Sequence, residues 1–343
     1  MKYKMQDEPW KVRDRDFPTS ADRSEQLRHM INYAIMAPSI YNTQPWLFKV
    51  TGSEIAMYVD RARALPVSDP DGRNLVISCG AALYHLRVAI RHFGYEPVVR
   101  TFPDLDVPNL LAFIRLGKHK EVLPDEERQF MAIKKRRTIR NGFRDEAIPP
   151  GMMQQLRDSA VGEGAHMFAL QDRNEQQALI DLIREAYEIR RKDAPFLQEV
   201  QAWTNSGWAD YPINDMSYAA PPPGAEAPPP SRILRGLEDD QLLMWNDNIK
   251  PGHPAFVVLA TTGDRMASWL SAGQALARLL LTATDSGLST SFLNQPVGIN
   301  SLRDRVRSLV GGELFPQVIL RMGYGVPGKP TRRLPVDRVA TEN

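Results

Sequence analysis

The chain of 343 residues carries 43 basic and 41 acidic side chains, and 43% of its residues are hydrophobic. This composition is typical of a folded globular protein with one large domain or two ordinary ones. The net charge of +2 disfavours a nucleic-acid-binding protein. The polar N-terminal segment and the lack of an apolar run of about 20 residues predict a cytoplasmic protein without a membrane span. The single cysteine, Cys79, excludes an intrachain disulfide and a cysteine-based metal cluster.

The first predicted element is a helix over Arg23 to Met36, where apolar residues recur at helical spacing. It ends at the segment APSIYNTQPWLF, residues 37–48. Trp46 to Val50 reads as a strand, so the connection between helix and strand is short. That connection nevertheless holds many hydrogen-bonding side chains, which are Ser39, Asn42, Thr43 and Gln44. We therefore expect this loop to do more than reverse the chain direction.

Two long segments repeat one pattern. Ser78 to Gly94 and Ser271 to Gly287 align without a gap at a constant offset of 193 residues, and both contain S-x-G-x-A-L-x-x-L. Both predict amphipathic helices that end at a glycine. Gly80 and Gly273 lie inside these helices, where glycine costs about 1 kcal/mol relative to alanine. Close backbone packing at these positions is the expected reason for them.

Each repeated helix is followed by a predicted strand that ends in glycine, Leu110 to Gly117 in one case and Pro316 to Gly323 in the other. The repeat therefore predicts a duplicated α+β unit, with halves at roughly 18–130 and 131–333. If such units pair and form sites at their interface, a fused pair could keep both sites, one or none.

A basic run, Lys134 to Arg140, lies at the start of the second half. It is either a solvated surface segment or an anion site. Arg136, Thr138 and Arg140 alternate, so on an extended segment they point the same way. Two guanidinium groups beside a hydroxyl suit a phosphate or a polyhydroxyl chain. A second basic pair, Arg332 and Arg333, follows the last predicted strand.

An unusual insert occupies about residues 203–236. Six prolines lie within residues 221–230, which predicts an extended polyproline segment without helix or central strand. The insert is either a mobile linker or a packed cover. The aromatic residues upstream favour packing, because large aromatic side chains are unfavourable in water; they are Trp203, Trp208, Tyr211 and Tyr218.

Several common catalytic motifs are absent from the sequence. GYGVPG, residues 323–328, fits G-x-G-x-x-G, but the prolines that follow it forbid the helix that a dinucleotide-binding fingerprint must open. The six histidines form no metal-binding spacing, so no metal site is predicted. No nucleophile or kinase motif is present. Any chemistry is therefore expected to reside in a bound cofactor.

Four features in fixed order resemble the FMN-dependent nitroreductase superfamily. They are APSxxNTQPWxF after the first helix, RRTxR, GxALxxLLLTAxxxGL, and a terminal GYG followed by RR. The arrangement, together with DPDGRNLVISCGAAL at residues 69–83, is most similar to the fused, single-chain Acg-like NAD(P)H nitroreductases. The resemblance covers nearly the whole chain, from about Arg23 to Arg333.

The resemblance implies an α+β nitroreductase-like fold, with two duplicated halves fused into a pseudo-dimer. Ordinary members are homodimers with two FMN sites, each built from both subunits. In this chain the APSxxN loop occurs only in the first half and the R-x-T-x-R segment only in the second. One flavin site per chain is therefore predicted, in a monomer or a weak homo-oligomer.

The family pattern also implies the residues of that site. Arg136 would serve the phosphate and ribityl end, whereas Arg140 would lie near the flavin N1–C2=O edge and stabilise the anionic reduced flavin. Tyr41, where many relatives have small residues or a histidine, would either contact the substrate or pack. The complete set of implied FMN contacts is Pro38, Ser39, Ile40, Asn42, Gln44, Arg136, Arg137, Thr138, Arg140, Leu293, Asn294, Gln295, Arg332 and Arg333.

Two functions follow from the resemblance. The first is an FMN-dependent oxidoreductase that takes hydride from NAD(P)H and passes it to a nitroaromatic, a quinone or a related aromatic acceptor in a ping-pong cycle. The alternative is an FMN-binding or sequestering protein in which the insert forms a lid and NAD(P)H turnover is low. Both take small-molecule partners, with no nucleic acid and no membrane.

Overall fold

The computed structural model describes residues 9–139, 142–204 and 254–342. The helices are α1 (Arg23–Ala34), α2 (Arg73–His92), α3 (Pro124–Lys135), α4 (Pro150–Val161), α5 (Arg173–Arg190), α6 (Ala194–Thr204), α7 (Met266–Asp285) and α8 (Asn300–Leu309). The strands are β1 (Trp46–Thr51), β2 (Glu54–Val59), β3 (Tyr95–Thr101), β4 (Leu110–His119), β5 (His166–Leu170), β6 (Ala255–Thr261), β7 (Ser289–Phe292), β8 (Phe315–Gly323) and β9 (Ala340–Glu342). None of the described helices is long and apolar enough to cross a membrane.

Two antiparallel sheets with the same strand order confirm the α+β class. The first sheet has the order β3-β4-β2-β1, and the second has the order β7-β8-β6-β5. With α1 matched to α4 and α2 to α7, both halves follow the sequence helix, two strands, long helix, two strands. The strand β9 extends the first sheet by pairing in parallel with β1. The second half differs by an insertion between β5 and β6 that begins with α5 and α6.

Local sequence explains where these elements begin and end. Asp22 caps α1 by accepting a hydrogen bond from the Glu25 amide, and β1 alternates buried Trp46, Phe48 and Val50 with exposed residues. The predicted strand over Trp46 to Val50 is thus confirmed. The strands β3 and β7 were not predicted, and each lies between a repeated helix and the strand expected to follow it.

The predicted boundary between residues 130 and 131 falls inside α3. This helix packs against both α2 and α7, so it connects the halves rather than belonging to one of them. The division of the chain at this point stays a prediction.

The glycines of α2 and α7 meet at the contact between the halves. A Cβ atom on Gly80 would lie 2.3 Å from the Leu270 carbonyl oxygen, and a Cβ on Gly273 would lie 2.1 Å from the Ile77 carbonyl oxygen. Leu270 and Ile77 are themselves related by the offset of 193, so the two contacts are pseudo-symmetric. The close backbone packing expected at these glycines is confirmed, and the structure adds that the two helices pack on each other.

Each long helix also contributes to the core of the opposite half. Leu270, Ala277 and Leu281 of α7 lie in the core that is built mainly from the first half. Ile77 of α2 lies in the core of the second half. The pair α2 and α7 therefore forms a shared central layer between the two sheets.

We predict that Gly80→Ala lowers the free energy of unfolding by about 1–3 kcal/mol or more, because the added methyl overlaps a backbone carbonyl. The measurement is urea unfolding of the full chain. Gly151→Ala is the matched control, since nothing lies within 4 Å of its added Cβ. This second variant should be neutral or slightly stabilising. Equal stability of Gly80→Ala and the parent chain would refute the packing argument.

Candidate functional site

A cavity of about 250 Å³ lies where the two halves meet. The floor comes from the central helices, with Asn74, Ile77 and Ser78 of α2 and Leu276 of α7. Residues 38–42 of the first half form one wall. Residues 291–295 at the end of β7 and after it, the segment 136–138 after α3, and Lys329, Thr331 and Arg333 of the tail form much of the remaining wall. The cavity is thus built from both halves, as the pseudo-dimer predicts for its site.

Most of the residues implied by the family pattern line this cavity. They are Pro38, Ser39, Ile40, Asn42, Arg136, Arg137, Thr138, Leu293, Asn294, Gln295 and Arg333, together with Tyr41. Gln44 and Arg332 are not brought to the wall; Gln44 lies buried behind the loop, and Arg332 is exposed. Arg140 lies outside the described residues, as does the insert from residue 205 onward. The binding roles of these residues stay predictions.

The loop at 38–44 has an unusual backbone. Tyr41, Asn42 and Gln44 have φ values of 46°, 56° and 52°, in the left-handed region that non-glycine residues rarely adopt. Each such residue costs about 1–3 kcal/mol unless its surroundings hold it. Concentration of this strain in one loop of a cavity is typical of functional sites.

Side chains of the loop hold the strained conformation. The Ser39 hydroxyl oxygen accepts a hydrogen bond from the Gln44 amide at 2.9 Å. The Gln44 side-chain oxygen accepts from the Leu334 amide at 2.8 Å. Asn42 donates to the Arg332 carbonyl oxygen at 3.0 Å and accepts from Arg333 at 2.9 Å. The polar residues of this loop therefore fasten it to the C-terminal tail of the opposite half.

The segment after α3 is extended. Thr138 forms a bridge with Thr290 of β7, and the Ile139 amide donates to the Thr290 carbonyl oxygen at 2.9 Å. Arg136 lies at the cavity wall and is only 4% exposed. Its Nε and Nη1 atoms have no hydrogen-bond partner among the described residues. A buried guanidinium with unused donors is unfavourable without an acceptor.

The cavity is strongly basic. Five arginines and a lysine line it, and no acidic side chain does so among the described residues; the six are Arg136, Arg137, Arg190, Arg321, Arg333 and Lys329. Burial and the charge of Arg137 lower the pKa of Arg136 to about 10. Burial, with Arg136 and Arg137, lowers the pKa of Arg333 well below its ordinary value. An anion bound beside this cluster would relieve the repulsion.

The field of the cluster reaches the centre of α2. His85 is fully buried there, and its ring lies 3.4 Å from the Tyr33 carbonyl oxygen. Burial is the main cause that lowers the pKa of His85 to about 3, and the charges of Arg136 and Arg333 lower it further. The imidazole is therefore neutral at physiological pH and adds no charge to the cluster.

A second part of the cavity wall is aromatic. Tyr41 packs on the buried pair Phe196 and Val200 of α6, and burial raises the pKa of Tyr41 to about 12. The guanidinium of Arg190 lies 4.5 Å from the centroid of the Phe196 ring and donates to the Gly298 carbonyl oxygen at 2.9 Å. Tyr41 is thus packed and neutral. Its contact with a substrate stays a prediction.

Helix α6 is fixed to the first half by one carboxylate. Glu199 accepts hydrogen bonds from the Val67 and Ser68 amides at 2.9 and 2.8 Å. The helix belongs to the insertion of the second half, so this insertion supplies part of the cavity wall. The expected lid beyond it, at 205–236, lies outside the described residues.

Several lining residues were missed by sequence reasoning. Trp10 lies in the N-terminal segment, and Arg190 and Phe196 belong to α5 and α6. Arg321 is a buried cation in the apolar strand β8. Two signals were available in the sequence, which are the isolated tryptophan in a polar segment and the arginine within VILRMG.

The pseudo-symmetric counterpart of the cavity, which lies beside Ser271 instead of Ser78, holds an ion-pair cluster. The Ile40 amide of the cavity loop points to Ser78, at 3.4 Å. At the equivalent Ser271, the neighbouring segment is the turn at Gly164. Glu163 of this turn is 8% exposed and binds Arg87 at 2.5 Å and Arg278 at 3.4 Å. The arginines at this position therefore have their own carboxylate, unlike those of the cavity.

Comparison with known proteins identifies the family. The model of the nitroreductase family matches residues 133–324, more than half of the chain. The chain belongs to the nitroreductase family. One relative is the Mycobacterium tuberculosis (strain H37Rv) protein named "Putative NAD(P)H nitroreductase Rv3131", 30% identical over 325 residues, 91% of this chain and 90% of the relative. A second is "Putative NAD(P)H nitroreductase acg" of that strain, 28% identical over 94% of this chain and 97% of the relative. The resemblance seen in the sequence motifs is confirmed.

Solved structures of the nitroreductase family are also similar to the chain. One is a nitroreductase with bound FMN from Desulfitobacterium hafniense, with a TM-score of 0.40 and 13% identity over 62% of this chain and 97% of that one. Another is the FMN-dependent nitroreductase NfnB of Mycobacterium smegmatis in complex with NADPH, with a TM-score of 0.37 and 14% identity over 58% of this chain and 88% of that one.

We predict that Arg136→Met raises the free energy of unfolding of the ligand-free protein by roughly 1 kcal/mol, because it removes a buried charge that has neither acceptor nor counterion. Arg91→Met is the matched control. Arg91 is 8% exposed but pairs with Glu126 at 2.6 Å, so its loss should cost about 2 kcal/mol. Urea unfolding should show a higher free energy of unfolding for Arg136→Met and a lower one for Arg91→Met, each relative to the parent chain. A large destabilisation by Arg136→Met would contradict the assignment of Arg136 as an unpaired cation.

Proposed function

We propose that this protein binds FMN in the cavity between its halves and acts as a nitroreductase-type oxidoreductase. The observation that carries the proposal is the cluster of buried Arg136 and Arg333 with half-buried Arg137, in a cavity where the described lining has no acidic residue. A phosphate is the group that such a cluster suits best, because arginine binds phosphate oxygens through paired, charge-assisted hydrogen bonds.

The remaining lining fits the rest of an FMN molecule. Ile77 and Leu276 offer an apolar floor for a planar ring. Ser39, Thr138 and Asn294 place hydroxyl and amide groups around it, which suits the ribityl chain and the polar ring edge. The side-chain oxygen of Gln295 is buried without a hydrogen-bond partner among the described residues, so it can accept from a ligand N–H or O–H.

In this proposal each group has a role in binding or orientation. Arg136, Arg137 and Arg333 hold the phosphate, while Leu293, Asn294 and Gln295 face the ring edge. When bound, FMN would supply two-electron hydride chemistry between NAD(P)H and an aromatic acceptor such as a nitroaromatic or a quinone. The apolar floor and α6 restrict water at the ring. Arg140 is expected near the N1–C2=O edge, by the family pattern.

We infer one FMN per chain. The position related to the cavity by the offset of 193 holds Glu163 with Arg87 and Arg278, and this carboxylate pairs with both arginines. The strained loop at 38–44 has no counterpart at that position, where the turn at 162–164 takes its place. Both observations support retention of a single site after duplication. A monomer that contains both halves would then be sufficient for binding.

The test is anaerobic reconstitution of the full chain with FMN, followed by addition of NADH or NADPH. We predict one FMN released per chain on denaturation and bleaching of the flavin absorbance by a reduced nicotinamide. Arg136→Met should weaken FMN binding by roughly 10- to 100-fold, as expected for loss of a charged hydrogen-bond donor. Arg115→Met is the control, because Arg115 is an exposed residue of β4, outside the cavity.

Three outcomes are decisive. Failure of the parent chain to bind FMN would overturn the proposal. Bound FMN that dithionite reduces, but that neither nicotinamide reduces, would replace the oxidoreductase with an FMN-holding protein. Two FMN molecules per chain would refute the single-site inference and leave the cofactor assignment intact.

A further inference from the structure

We propose that Trp10 is a positioning residue for the phosphate-binding arginines of the cavity. This inference rests on the proposed FMN site and adds to it a residue from the N-terminal segment. The family model begins at residue 133, so it does not include this segment.

The indole of Trp10 lies against two of the three clustered arginines. The Arg137 guanidinium carbon is 4.6 Å from the centroid of the Trp10 ring, and the Arg333 guanidinium carbon is 5.3 Å from it. Both distances are within the range of cation–π attraction, for which tryptophan is the strongest partner. Arg137 follows α3, whereas Arg333 belongs to the C-terminal tail. The ring therefore joins two cations from distant parts of the chain.

Trp10 is itself held in place. Its indole N–H donates to the Thr331 carbonyl oxygen at 2.8 Å, two residues before Arg333. The chain that follows it is fastened to α3 by the Lys134 ammonium, which donates to the Val12 carbonyl oxygen. Tyr33 of α1 donates to Asp14 at 3.1 Å. The ring is thus placed by a segment anchored at three points.

An aromatic ring suits this position better than a carboxylate would. The face of the indole attracts both guanidinium groups through its quadrupole but carries no net charge. An aspartate or glutamate in the same place would order the arginines equally well, yet it would neutralise them and compete with a phosphate. At Glu163 a carboxylate does pair with two arginines. Trp10 instead leaves the positive charge of the cluster available to an anion.

The test compares FMN with riboflavin, which has the same ring and ribityl chain but no phosphate. Dissociation constants of both are measured by flavin fluorescence for the full chain and for Trp10→Leu. We expect Trp10→Leu to weaken FMN binding about tenfold and to change riboflavin binding less than about twofold, because only the phosphate contacts depend on the ring. Trp10→Phe should bind FMN with an affinity between those of the parent chain and Trp10→Leu, since it keeps an aromatic ring but loses the indole N–H.

Phe17→Leu is the matched control. Phe17 belongs to the same N-terminal segment and stacks on Phe93 at 4.0 Å, away from the cavity lining. This variant should keep the preference for FMN over riboflavin. If Trp10 only supports the structure of the segment, Trp10→Leu should lower the affinities for FMN and riboflavin equally. That result would overturn the inference.

Failure of the FMN proposal can be distinguished from failure of this one. If the parent chain binds neither flavin, inorganic phosphate serves as the probe. Millimolar phosphate should then raise the melting temperature of the parent chain and of Phe17→Leu, and should raise that of Trp10→Leu much less. An equal shift in all three proteins would reject the role of Trp10 independently of any flavin.

Discussion

The close contact of α2 with α7 at Gly80 and Gly273 is the constraint on which the rest of the structure depends. The backbones meet so closely that a Cβ atom on either glycine would overlap a carbonyl oxygen of the other helix. This contact sets the distance between the two sheets. It also fixes the floor of the cavity, because Ile77 and Ser78 precede Gly80 by one turn or less and Leu276 follows Gly273 at the same spacing. A site shared by both halves follows from this helix pair.

A second constraint is electrostatic. The cavity concentrates Arg136, Arg137 and Arg333 with no described acidic residue in its lining. Burial lowers the pKa of all three, and the neighbouring arginines lower those of Arg136 and Arg333 further. Such a cluster opposes folding unless an anion or an aromatic face stabilises it. At the related position Glu163 forms ion pairs with two arginines. The two halves are similar in topology, and the carboxylate of Glu163 is the difference in charge between the related position and the proposed binding position.

Much of this arrangement could be predicted from the sequence, because its signals are local or periodic. The gap-free match at an offset of 193 identified the two repeated helices, and the glycines inside them indicated close backbone packing. The alternation of Arg136 and Thr138 indicated that their side chains would share one side of an extended segment. Strand β3 was harder to recognise because Pro97 interrupts its pattern, and β7 has only four residues. Strand β9 pairs with a strand almost 300 residues away, which no local pattern reports.

The finer geometry of the site depends on tertiary contacts. Left-handed backbone is rare for tyrosine and glutamine and less rare for asparagine. At Tyr41, Asn42 and Gln44 it is held by hydrogen bonds within the loop and by bonds to the tail at Arg332–Leu334. Trp10 reaches the cavity because Thr331 accepts its indole N–H, an interaction across 321 residues of sequence. The turn at Glu163 has no motif of its own. Its place opposite the cavity loop follows only from the pseudo-symmetry that relates Ser271 to Ser78.

The most direct measurement of the central claim is a crystal structure of the full chain with FMN. Our account predicts one flavin per chain in the cavity between the halves, with its phosphate within hydrogen-bond distance of Arg136 and its ring on Ile77 and Leu276. Electron density for the flavin beside Glu163, or a phosphate bound away from the arginine cluster, would contradict the account.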